Sequence, residues 1–540
     1  MTGAQEAYDY IVTGAGSAGC CVAARLSESG QYRVLLLEAG VKDTNPWIHV
    51  PLGYQKLYAN PAVNWMFESE PVAGLGNRTS YQPRGKTLGG TSSINGMIYM
   101  RGTAADYDGW RQRGCEGWSY ESVLPYFRKA EDNVRGASEF HGAGGPLKVS
   151  DYADPGELPR AIVEACVEAG IPRNPDFNGR QQEGVGFYQT TTSNGRRWSA
   201  AVAYLRPARN RPNLTIVTEA HATRILIENG RAVGVEYRVP GGSRTARARA
   251  EVIASGGVYG SPQLLLLSGI GPGEHLRAMG IAVQRELNAV GAHLHDHFNT
   301  YVAYHCPKPI TLNDLYASKL KQISAALQFA LTRTGPLASA GLYAGAFTKS
   351  DARLEQPDLQ FNMFIWSIEG RDRTGVRPHP FPGFSISPVH LRPEGRGSVR
   401  LKKPDPLADP EIRFNFLTSS YDIEAMLYGI RMARRIGTQP ALQPYVIAEV
   451  APGPEAQSDE ALIADLRQRG VSNLHPVGTC RMGSPEDSVV DNRLRVHGIK
   501  GLRVIDASIM PQVVAGNTNA PTIMIAEKGS DMILADAKAA

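Results

Sequence analysis

A glycine-rich turn near the N-terminus, set between two apolar runs, constrains the fold of this chain more than any other feature. The run Tyr10–Val12 leads into the sequence Gly14-Ala15-Gly16-Ser17-Ala18-Gly19, and a predicted helix from Cys20 to Ser27 follows. A second apolar run, Val34–Leu37, then ends at Glu38. The order strand, glycine turn, helix and strand predicts the beginning of an α/β fold with a parallel sheet.

Each glycine of this turn has its own physical role. Gly14 permits the tight turn, Gly16 lets the backbone approach a pyrophosphate, and Gly19 lets helix and strand pack closely. The helix N-terminus presents free N–H groups and the positive end of its dipole to phosphates. Glu38 lies where a carboxylate can accept both ribose hydroxyls of an adenosine. The segment therefore predicts an adenine-dinucleotide site, and by itself it leaves NAD, NADP and FAD open.

The bulk properties of the chain exclude several classes of function. Its 540 residues are compatible with two interleaved domains, and a hydrophobic content of 42% supports a substantial core. The net charge of +5 is small for this length and the basic residues are scattered, so we expect no nucleic-acid partner. No uncharged apolar stretch reaches the roughly 18 residues that a membrane-spanning helix needs. Peripheral contact with a membrane is left open.

The cysteines and the N-terminal segment indicate a cytoplasmic protein. No CxxC pair occurs, and the irregular cysteine spacing predicts neither a disulfide framework nor a zinc site. The segment Met1–Ala7 is short and polar, unlike a signal peptide. We therefore expect reduced thiols in a cytoplasmic location, with peripheral membrane association as an open alternative. The cysteines are Cys20, Cys21, Cys115, Cys166, Cys306 and Cys480.

A second segment rich in glycine and hydroxyl groups runs from Arg84 to Gly96. Such residues form poor helices and strands, but they let backbone N–H groups reach a ligand. The alternative, a flexible linker, is disfavoured because the apolar residues Met97–Met100 follow at once. We expect a buried loop that contacts the cofactor.

Apolar runs later in the chain predict a return to the first sheet. The segments 214–227, 233–238 and 251–254 are predicted strands of the cofactor domain. A helix with a proline at its start is predicted over Gln263–Leu267. Near the C-terminus, an apolar run over 501–506 and a helix from Thr522 repeat the pattern of strand followed by helix, which puts Asp506 at the carboxyl end of a strand.

The region 301–480 differs in character and predicts a substrate domain. It contains strand-like runs interrupted by prolines between Pro378 and Pro393, and an amphipathic stretch from Leu315 to Leu331. The segment from Pro309 to Phe347 is expected to shape access to the site. Its apolar residues indicate a substrate with apolar surface; they are Leu327, Phe329, Leu331, Leu337 and Leu342.

Two polar positions in the C-terminal third are candidates for chemistry. His475 and Asn517 each lie among small residues and prolines, just before a turn or a helix. Histidine is the side chain best suited to exchange a proton near neutral pH. An asparagine amide can hold a hydroxyl or an alkoxide without competing for the proton. Because one histidine among twelve is more often structural, spacing alone makes these two residues candidates only.

The motifs together resemble the glucose–methanol–choline (GMC) oxidoreductase family, whose members bind FAD and oxidise alcohols. The first family signature is matched from Gly85 to Asn95 and onward to Asp108, and the second is approached from Gly257 to Gly271. Val258 there replaces the usual small residue. The likeness extends from Tyr10 to Ile533, and the chain is similar to bacterial choline-dehydrogenase-like enzymes, including L-sorbose and polyethylene glycol dehydrogenases.

The resemblance implies a Rossmann-like FAD-binding domain interleaved with a substrate-binding domain built on an antiparallel sheet flanked by helices. We expect the FAD-binding domain over residues 1–155, 207–300 and 486–540. The substrate-binding domain is expected over 156–206 and 301–485. Ile94 matches the position at which a few members tether FAD through a histidine, so the resemblance implies non-covalent FAD.

The resemblance also assigns roles to single residues. His475 matches the catalytic histidine, and Asn517 matches the second active-site position, which is His or Asn in the family. Asn95 and Gly96 would lie near the isoalloxazine, and Ala222 would offer its backbone to adenine. The complete set of predicted FAD-binding residues is Gly14, Gly16, Ser17, Gly19, Glu38, Ala39, Leu88, Gly89, Gly90, Ser92, Asn95, Gly96, Ala222, Asp506, Ala507, Asn517, Asn519 and Thr522.

The implied reaction is oxidation of an alcohol, expected to be primary, to the aldehyde. His475 would take the hydroxyl proton, Asn517 would hydrogen-bond the same oxygen, and the α-carbon hydride would pass to flavin N5. The likeness to dehydrogenases favours a non-oxygen acceptor, a quinone, cytochrome or artificial dye. Two alternatives remain: an alcohol oxidase that uses O2, and a lyase or decarboxylase on the same fold.

One segment departs from the family pattern. His293-Leu294-His295-Asp296-His297 stands where Asn-Leu-Gln-Asp-His is usual. Three histidines with a period of two could face one side of a strand and bind a metal. The favoured interpretation is a loop with two tolerated substitutions, because no other ligand cluster accompanies the histidines. We therefore expect no metal site.

Overall fold

The first sheet is built around the strand that precedes the glycine turn. The computed structural model describes residues 7–539, so Met1–Glu6, which belong to the segment judged unlike a signal peptide, lie outside the described residues, as does Ala540. In spatial order the strands are Leu214–Val217, Val34–Leu37, Ala7–Thr13, Gly242–Ala254, Arg231–Val239 and His221–Glu228, with Leu502–Val504 paired to Gly242–Ala254.

The long strand Gly242–Ala254 changes partners along its length. Its first half pairs antiparallel with Arg231–Val239, and Val252–Ala254 pair parallel with Leu502–Val504. The predicted return of the C-terminal segment to the first sheet is therefore confirmed. Five segments of this sheet run parallel: Leu214–Val217, Val34–Leu37, Ala7–Thr13, the end of Gly242–Ala254, and Leu502–Val504. Their carboxyl ends therefore meet at one edge, where ligands of open α/β sheets bind.

The glycine turn has the geometry that the sequence predicts. Gly14 has φ +93°, which glycine adopts without strain, and its N–H donates to Leu37 O at 2.8 Å. A Cβ on Gly19 would lie 1.8 Å from Gly14 O, so this helix residue packs directly on the turn. The helix Ser17–Leu26 in turn packs against the C-terminal helix Asn519–Ala539.

The second sheet is antiparallel. Its strands in spatial order are Ala448–Ala451, Val302–His305, Gly383–His390, Leu359–Phe364, Leu342–Thr348 and Gly184–Phe187. The short strand Phe298–Asn299 pairs with both Gly383–His390 and Val471–Ser472. The helices Glu157–Glu168 and Ser420–Gly437 pack against this sheet. The expected antiparallel sheet flanked by helices is confirmed, whereas the exact domain boundaries remain predictions.

The remaining elements are short or connect the two sheets. Further helices are Pro46–His49, Tyr54–Leu57, Ala104–Gln112, Tyr120–Ala130, Arg206–Ala208, Gly257–Leu267, Gly273–Ala278, Leu312–Ala317, Lys319–Thr332 and Asp459–Arg469. Single helical turns are Pro51–Gly53, Ala73–Leu75, Gly90–Ser93, Ala201–Leu205, Pro336–Ala338, Pro440–Tyr445 and Ala507–Ile509. Two-stranded ribbons pair Phe67–Glu68 with Tyr81–Gln82, Glu131–Asn133 with Leu147–Val149, Thr192–Ser193 with Arg196–Arg197, Ile270–Gly271 with Arg285–Glu286, Ile368–Asp372 with Gly375–Pro378, and Ser398–Arg400 with Glu411–Arg413.

The predicted helix at Gln263–Leu267 begins earlier, at Gly257, so Pro262 lies inside the helix. A proline there cannot donate to the carbonyl four residues back. That carbonyl, Val258 O, instead accepts from Thr479 Oγ1 at 2.6 Å. A distant hydroxyl thus replaces the missing helical hydrogen bond, and no local pattern could have indicated it.

Other predicted bounds also shift. The C-terminal helix begins at Asn519, three residues before the predicted start at Thr522. The amphipathic stretch Leu315–Leu331 divides into the helices Leu312–Ala317 and Lys319–Thr332. The break falls at Ser318, whose side chain accepts from Lys321 N and so begins the second helix.

Two expectations about the whole chain can be compared with the structure. All six cysteines are buried and free. None of the helices within residues 7–539 is long and apolar enough to cross a membrane.

Candidate active site

A large cavity lies at the carboxyl edge of the first sheet and extends to the second. Its walls include Gly14 and Asp506 from the first sheet, and Asn362 and Ser385 from the second. The cavity encloses about 2490 Å³ of atom-free space, its open mouth included. The same cavity thus borders the glycine turn of the first sheet and strands of the second.

Most of the predicted site residues line this cavity. They are Gly14, Gly16, Ser17, Glu38, Ala39, Gly90, Asn95, Gly96, Ala222, Asp506, Ala507, Asn517, Asn519, Thr522 and His475. The other four predicted residues, Gly19, Leu88, Gly89 and Ser92, lie behind the wall. Ser92 Oγ donates to Gly89 O at 2.6 Å and accepts from Ala200 N at 2.9 Å, so it stabilises the loop rather than facing the cavity.

At one end of the cavity, two glycine segments form a cradle without side chains. The helix Ser17–Leu26 has Gly16 as its N-cap, with no side-chain hydrogen bond to its first N–H groups. A Cβ at Gly16 would meet nothing within 4 Å, and a Cβ at Gly90 would lie 2.6 Å from Gly16 Cα. The contact between the two backbones excludes a side chain at Gly90, and the open space at Gly16 suits a phosphate at a helix N-terminus.

Glu38 holds the turn as well as facing the cavity. Its carboxylate accepts from Ala15 N at 2.9 Å and from Gly40 N at 2.8 Å. Burial raises the pKa of Glu38 to about 7. A carboxylate has about four acceptor positions, so two backbone bonds leave capacity for the ribose hydroxyls that the sequence predicts.

The buried Asp506 is also tied to the cofactor end of the cavity. Its Oδ2 accepts from Gly257 N at 2.9 Å and from Ser261 Oγ at 2.6 Å, and its Oδ1 accepts from Ser508 N at 2.8 Å. These bonds connect the last strand of the first sheet to the helix Gly257–Leu267. Nearby, Asn519 Oδ1 accepts from Ser17 Oγ at 2.8 Å, which links the two helices that begin at the cavity.

His475 and Asn517 meet at the other end of the cavity, where the two sheets approach. Asn517 Nδ2 lies 2.9 Å from His475 Nε2, and Asn517 Oδ1 is buried without a partner within the described residues. When Nε2 accepts from this amide, the ring proton of neutral His475 lies on Nδ1. Nε2 thus lies beside an unused amide oxygen.

Pairing of two short strands positions the His475 ring. Phe298 pairs with Ser472, and beyond this pair Asn473 N donates to His297 O at 2.9 Å. The pairing puts His297 Nδ1 3.1 Å from His475 Nδ1, and the two rings are nearly perpendicular. Asn473 Nδ2 lies 3.2 Å from the same Nδ1. His475 Nδ1 thus contacts His297 and Asn473, and Nε2 contacts Asn517.

The backbone at His475 is held in an uncommon conformation. Leu474 has φ +65°, a left-handed conformation that is costly for a residue with a branched side chain. Its carbonyl accepts from Arg84 Nη2 at 2.8 Å, and its N–H donates to Ser472 Oγ at 3.0 Å. His475 N donates to Asp296 Oδ1 at 2.8 Å. These bonds fix the strained turn, so the imidazole is preorganised.

The electrostatics keep His475 neutral. Burial lowers the pKa of His475 to about 3, and the charges of Arg84 and Arg371 act in the same direction. Burial also lowers the pKa of His297 well below its ordinary value, with the ring of His475 as the next cause. Burial raises the pKa of the Asp296 carboxyl to about 7. The site thus holds two neutral imidazoles near two fixed cations.

Sequence reasoning missed several residues that line the substrate end of the cavity. Arg371 comes from the ribbon Ile368–Asp372, and its Nη2 donates to Ser472 O at 2.9 Å. Aromatic rings make up much of the remaining wall. Nothing in the local sequence marks these residues, because they come from separate elements of the fold; the rings are Tyr54, Tyr58, Tyr301, Phe364 and Trp366.

The three alternating histidines do not face one way. His295 Nε2 lies 2.8 Å from Pro393 O, and Val513 N donates to its Nδ1 at 3.2 Å, so both ring nitrogens have backbone partners. His297 faces His475, and His293 has φ +61°, which turns the chain away from a regular strand. Within residues 7–539 no group of three His, Cys, Asp or Glu side chains is arranged to hold a metal ion.

Comparisons with known proteins agree with this arrangement. Family models described as GMC oxidoreductase match residues 8–299 and 393–526. The chain is 43% identical over 530 residues to an alcohol dehydrogenase (acceptor) of Pseudomonas putida, covering 98% of this chain and 96% of the relative. It is 45% identical over 540 residues to an oxygen-dependent choline dehydrogenase of Pseudomonas syringae pv. syringae, covering 98% and 94%.

A solved structure has the same fold. It is a formate oxidase of Aspergillus oryzae, determined to study the effect of a mutation on its FAD modification. The TM-score is 0.91 at 28% sequence identity, and the match covers 99% of each chain. The fold agreement therefore extends over both sheets and over the cavity between them.

Proposed function

The chain belongs to the GMC oxidoreductase family, and from this premise we propose that it is an FAD-dependent dehydrogenase of a primary alcohol. His475 is the proposed base, and the proposed electron acceptor is a quinone, a cytochrome or an artificial dye rather than O2. The observation that carries the proposal is the contact of His475 Nε2 with the Asn517 amide, in a cavity lined by residues of both sheets.

The residues around the cavity fit FAD. The uncapped helix start and the open space at Gly16 suit its pyrophosphate, and Ile94 offers no nucleophile for a covalent bond. When bound, FAD supplies the acceptor for the substrate's hydride, at flavin N5. We propose that the residues that hold it, directly or from behind the wall, are Gly14, Gly16, Ser17, Gly19, Glu38, Ala39, Leu88, Gly89, Gly90, Ser92, Asn95, Gly96, Ala222, Asp506, Ala507, Asn517, Asn519 and Thr522.

His475 and Asn517 would act on one oxygen of the alcohol. The substrate hydroxyl replaces the Asn517 amide as the hydrogen-bond partner of His475 Nε2 and gives its proton to that nitrogen. The freed Asn517 amide then donates to the substrate oxygen. The positive charges of Arg84 and Arg371 disfavour a positive charge on His475. The same two charges would stabilise the negative charge that develops on the substrate oxygen.

The proposed location is the cytoplasm. Free and buried thiols are typical of a protein in a reducing compartment. In that compartment, the flavin that the alcohol has reduced would pass its electrons to an acceptor that enters through the mouth of the cavity.

Anaerobic addition of a primary alcohol is expected to bleach the flavin absorbance of the holoenzyme. Re-oxidation by a quinone-type dye should then be at least roughly tenfold faster than re-oxidation in air-saturated buffer, which corresponds to about 1.4 kcal/mol in the barrier. Stopped-flow absorbance measures both steps. Equal or faster re-oxidation by O2 would identify an oxidase, and a flavin that no alcohol bleaches would favour the lyase or decarboxylase alternative.

The charges at the substrate end favour a neutral or anionic alcohol over choline. Neither Arg84 nor Arg371 has a carboxylate within ion-pairing distance among residues 7–539, and both line the cavity. Asp296 compensates only in part, because burial raises the pKa of this carboxyl to about 7. The acidic wall residues Glu38 and Asp506 belong to the cofactor end. A quaternary ammonium group would therefore face two cations that are compensated only in part.

We expect choline to be a poorer substrate than its neutral isostere 3,3-dimethyl-1-butanol, by roughly 10–100-fold in kcat/KM, since like charges repel in a desolvated site. Arg371→Gln should lower the ratio of kcat/KM for 3,3-dimethyl-1-butanol to kcat/KM for choline by about tenfold (~1.4 kcal/mol). Arg377→Gln, on the same ribbon but exposed and paired with Asp372, serves as the matched control and should leave the ratio unchanged. A wild-type enzyme that prefers choline would contradict this prediction.

A further inference from the structure

The helix Lys319–Thr332 carries an apolar stripe on its solvent side. Leu320, Ile323, Leu327 and Leu331 are 79%, 57%, 58% and 82% exposed. Their spacing of three and four residues places them on one face. The opposite face buries only Ala325 and Phe329 against the protein. Elsewhere in the described residues, large exposed apolar side chains occur singly and far apart in sequence, as at Val134, Leu407 and Ile447.

The charges around the stripe are positive. Lys319 and Lys321 begin the helix and Arg333 follows it, and the sequence from Lys319 to Arg333 contains no Asp or Glu. Lys321 Nζ lies 3.8 Å from Asp314 Oδ1, while neither Lys319 nor Arg333 has an ion-pair partner among residues 7–539. An aliphatic stripe with basic flanks matches the pattern of helices that lie in the surface of an anionic membrane.

The segments before and after the stripe both reach the wall of the cavity. The preceding helix is held there by Leu312, whose N–H donates to Ile365 O at 2.9 Å next to Trp366. After the stripe the chain runs to Ala340, whose carbonyl accepts from Tyr54 Oη at 3.2 Å. Trp366, Ala340 and Tyr54 all line the cavity. The helix that carries the stripe is therefore connected at both ends to segments of the cavity wall.

We propose that the helix Lys319–Thr332 docks on the surface of a membrane that contains anionic lipid, with Leu320, Ile323, Leu327 and Leu331 among the acyl chains and the flanking basic residues at the headgroups. The cavity then opens close to the bilayer, where apolar alcohols and lipid-dissolved acceptors collect. This inference goes beyond the proposed reaction and does not depend on its details.

A protein partner fits the stripe less well than a lipid surface. Stable protein interfaces involve roughly 20–30 residues a side, and their energy is concentrated in Trp, Tyr and Arg. The stripe offers four aliphatic side chains on a single helix, with one small polar residue, Ser324, beside them, and the exposed ring of Tyr316 belongs to the preceding helix. A lipid surface needs neither complementary shape nor hydrogen-bond partners, which makes it the occupant that these side chains suit.

Vesicle sedimentation of the holoenzyme tests the proposal. We expect binding to phosphatidylcholine vesicles that contain phosphatidylglycerol, and at least tenfold weaker binding to vesicles of phosphatidylcholine alone. Ile323→Gln should weaken binding several-fold, and Leu320→Gln combined with Leu327→Gln should abolish it. Ile447→Gln is the matched control, because Ile447 is the same residue type with the same 57% exposure, outside the stripe. All variants should reduce a soluble dye at the wild-type rate.

Three results would overturn the proposal. One is an absence of binding to either vesicle, and a second is binding that the stripe substitutions leave unchanged. The third is a dimer in size-exclusion chromatography that the stripe substitutions dissociate while vesicles bind nothing, which would make the stripe an interface between copies of the chain. None of these results bears on dye reduction in solution, so a failure here is distinguishable from a failure of the proposed reaction.

Discussion

His475→Ala is expected to leave FAD bound and to lower the rate of flavin reduction by an alcohol by roughly 10²–10⁴-fold, the usual contribution of a general base. The reason is the position of Nε2, which is the basic nitrogen that faces the cavity beside the Asn517 amide. Since the predicted FAD contacts do not include His475, the cofactor content should stay at the wild-type level. Anaerobic stopped-flow absorbance measures the reduction rate, and the flavin spectrum of the purified protein measures the content.

His305→Ala provides the control for this substitution. The His305 ring packs against Phe381 and does not line the cavity, so its loss should leave flavin reduction within about twofold, or ~0.4 kcal/mol. Asn517→Ala should produce an intermediate loss, because the amide assists the same oxygen without taking the proton. A His475→Ala enzyme that reduces its flavin at the wild-type rate would rule out His475 as the base.

Gly16→Ala should weaken FAD binding without destabilising the protein that lacks FAD. A Cβ at Gly16 would meet no protein atom within 4 Å, and the backbone conformation there suits any residue. The added methyl instead projects into the cavity at the helix start, where the pyrophosphate is proposed to bind. Overpacking of this kind costs about 1–3 kcal/mol, which corresponds to roughly a 10–100-fold rise in the dissociation constant for FAD.

Fluorescence titration of the apoprotein with FAD, together with thermal unfolding of the apoprotein, checks this expectation. Gly109→Ala is the control: Gly109 also has open space for a Cβ, but it lies in the helix Ala104–Gln112, away from the cavity. It should leave the affinity for FAD unchanged and raise the stability of the apoprotein by about 0.5–1 kcal/mol, since alanine favours a helix interior. If Gly16→Ala binds FAD as tightly as the wild type, the phosphates do not approach this turn.

The first sheet could be predicted from the sequence because its signals are local. The run Tyr10–Val12, the glycine turn and the run ending at Glu38 each reflect the geometry of a few neighbouring residues, and the structure keeps them in that order. The same holds for the strand Leu502–Val504, which is predicted from a short strand-like run followed by a helix.

The arrangement of the candidate site could be predicted only in part. His475 and Asn517 were identified through a family resemblance, but their contact with each other depends on how the two sheets meet. The placement of His297 beside His475 results from the pairing of Phe298 with Ser472, which no periodicity indicates. The left-handed Leu474 is likewise invisible in the sequence, since leucine does not favour that conformation.

The pairing of the strand Gly242–Ala254 has a consequence for how the chain folds during synthesis. Its last three residues need Leu502–Val504 as a neighbour, and Asp506 follows directly at the cofactor end of the cavity. A chain emerging from the ribosome can form the strands Ala7–Thr13 and Val34–Leu37 early, but this edge stays unpaired until almost the whole sequence is made. Native contacts over such a distance form slowly and expose apolar surface in the meantime. A nascent or truncated chain thus carries the glycine turn and still lacks a closed cofactor site, so we expect FAD capture to be a late event that needs almost the whole chain.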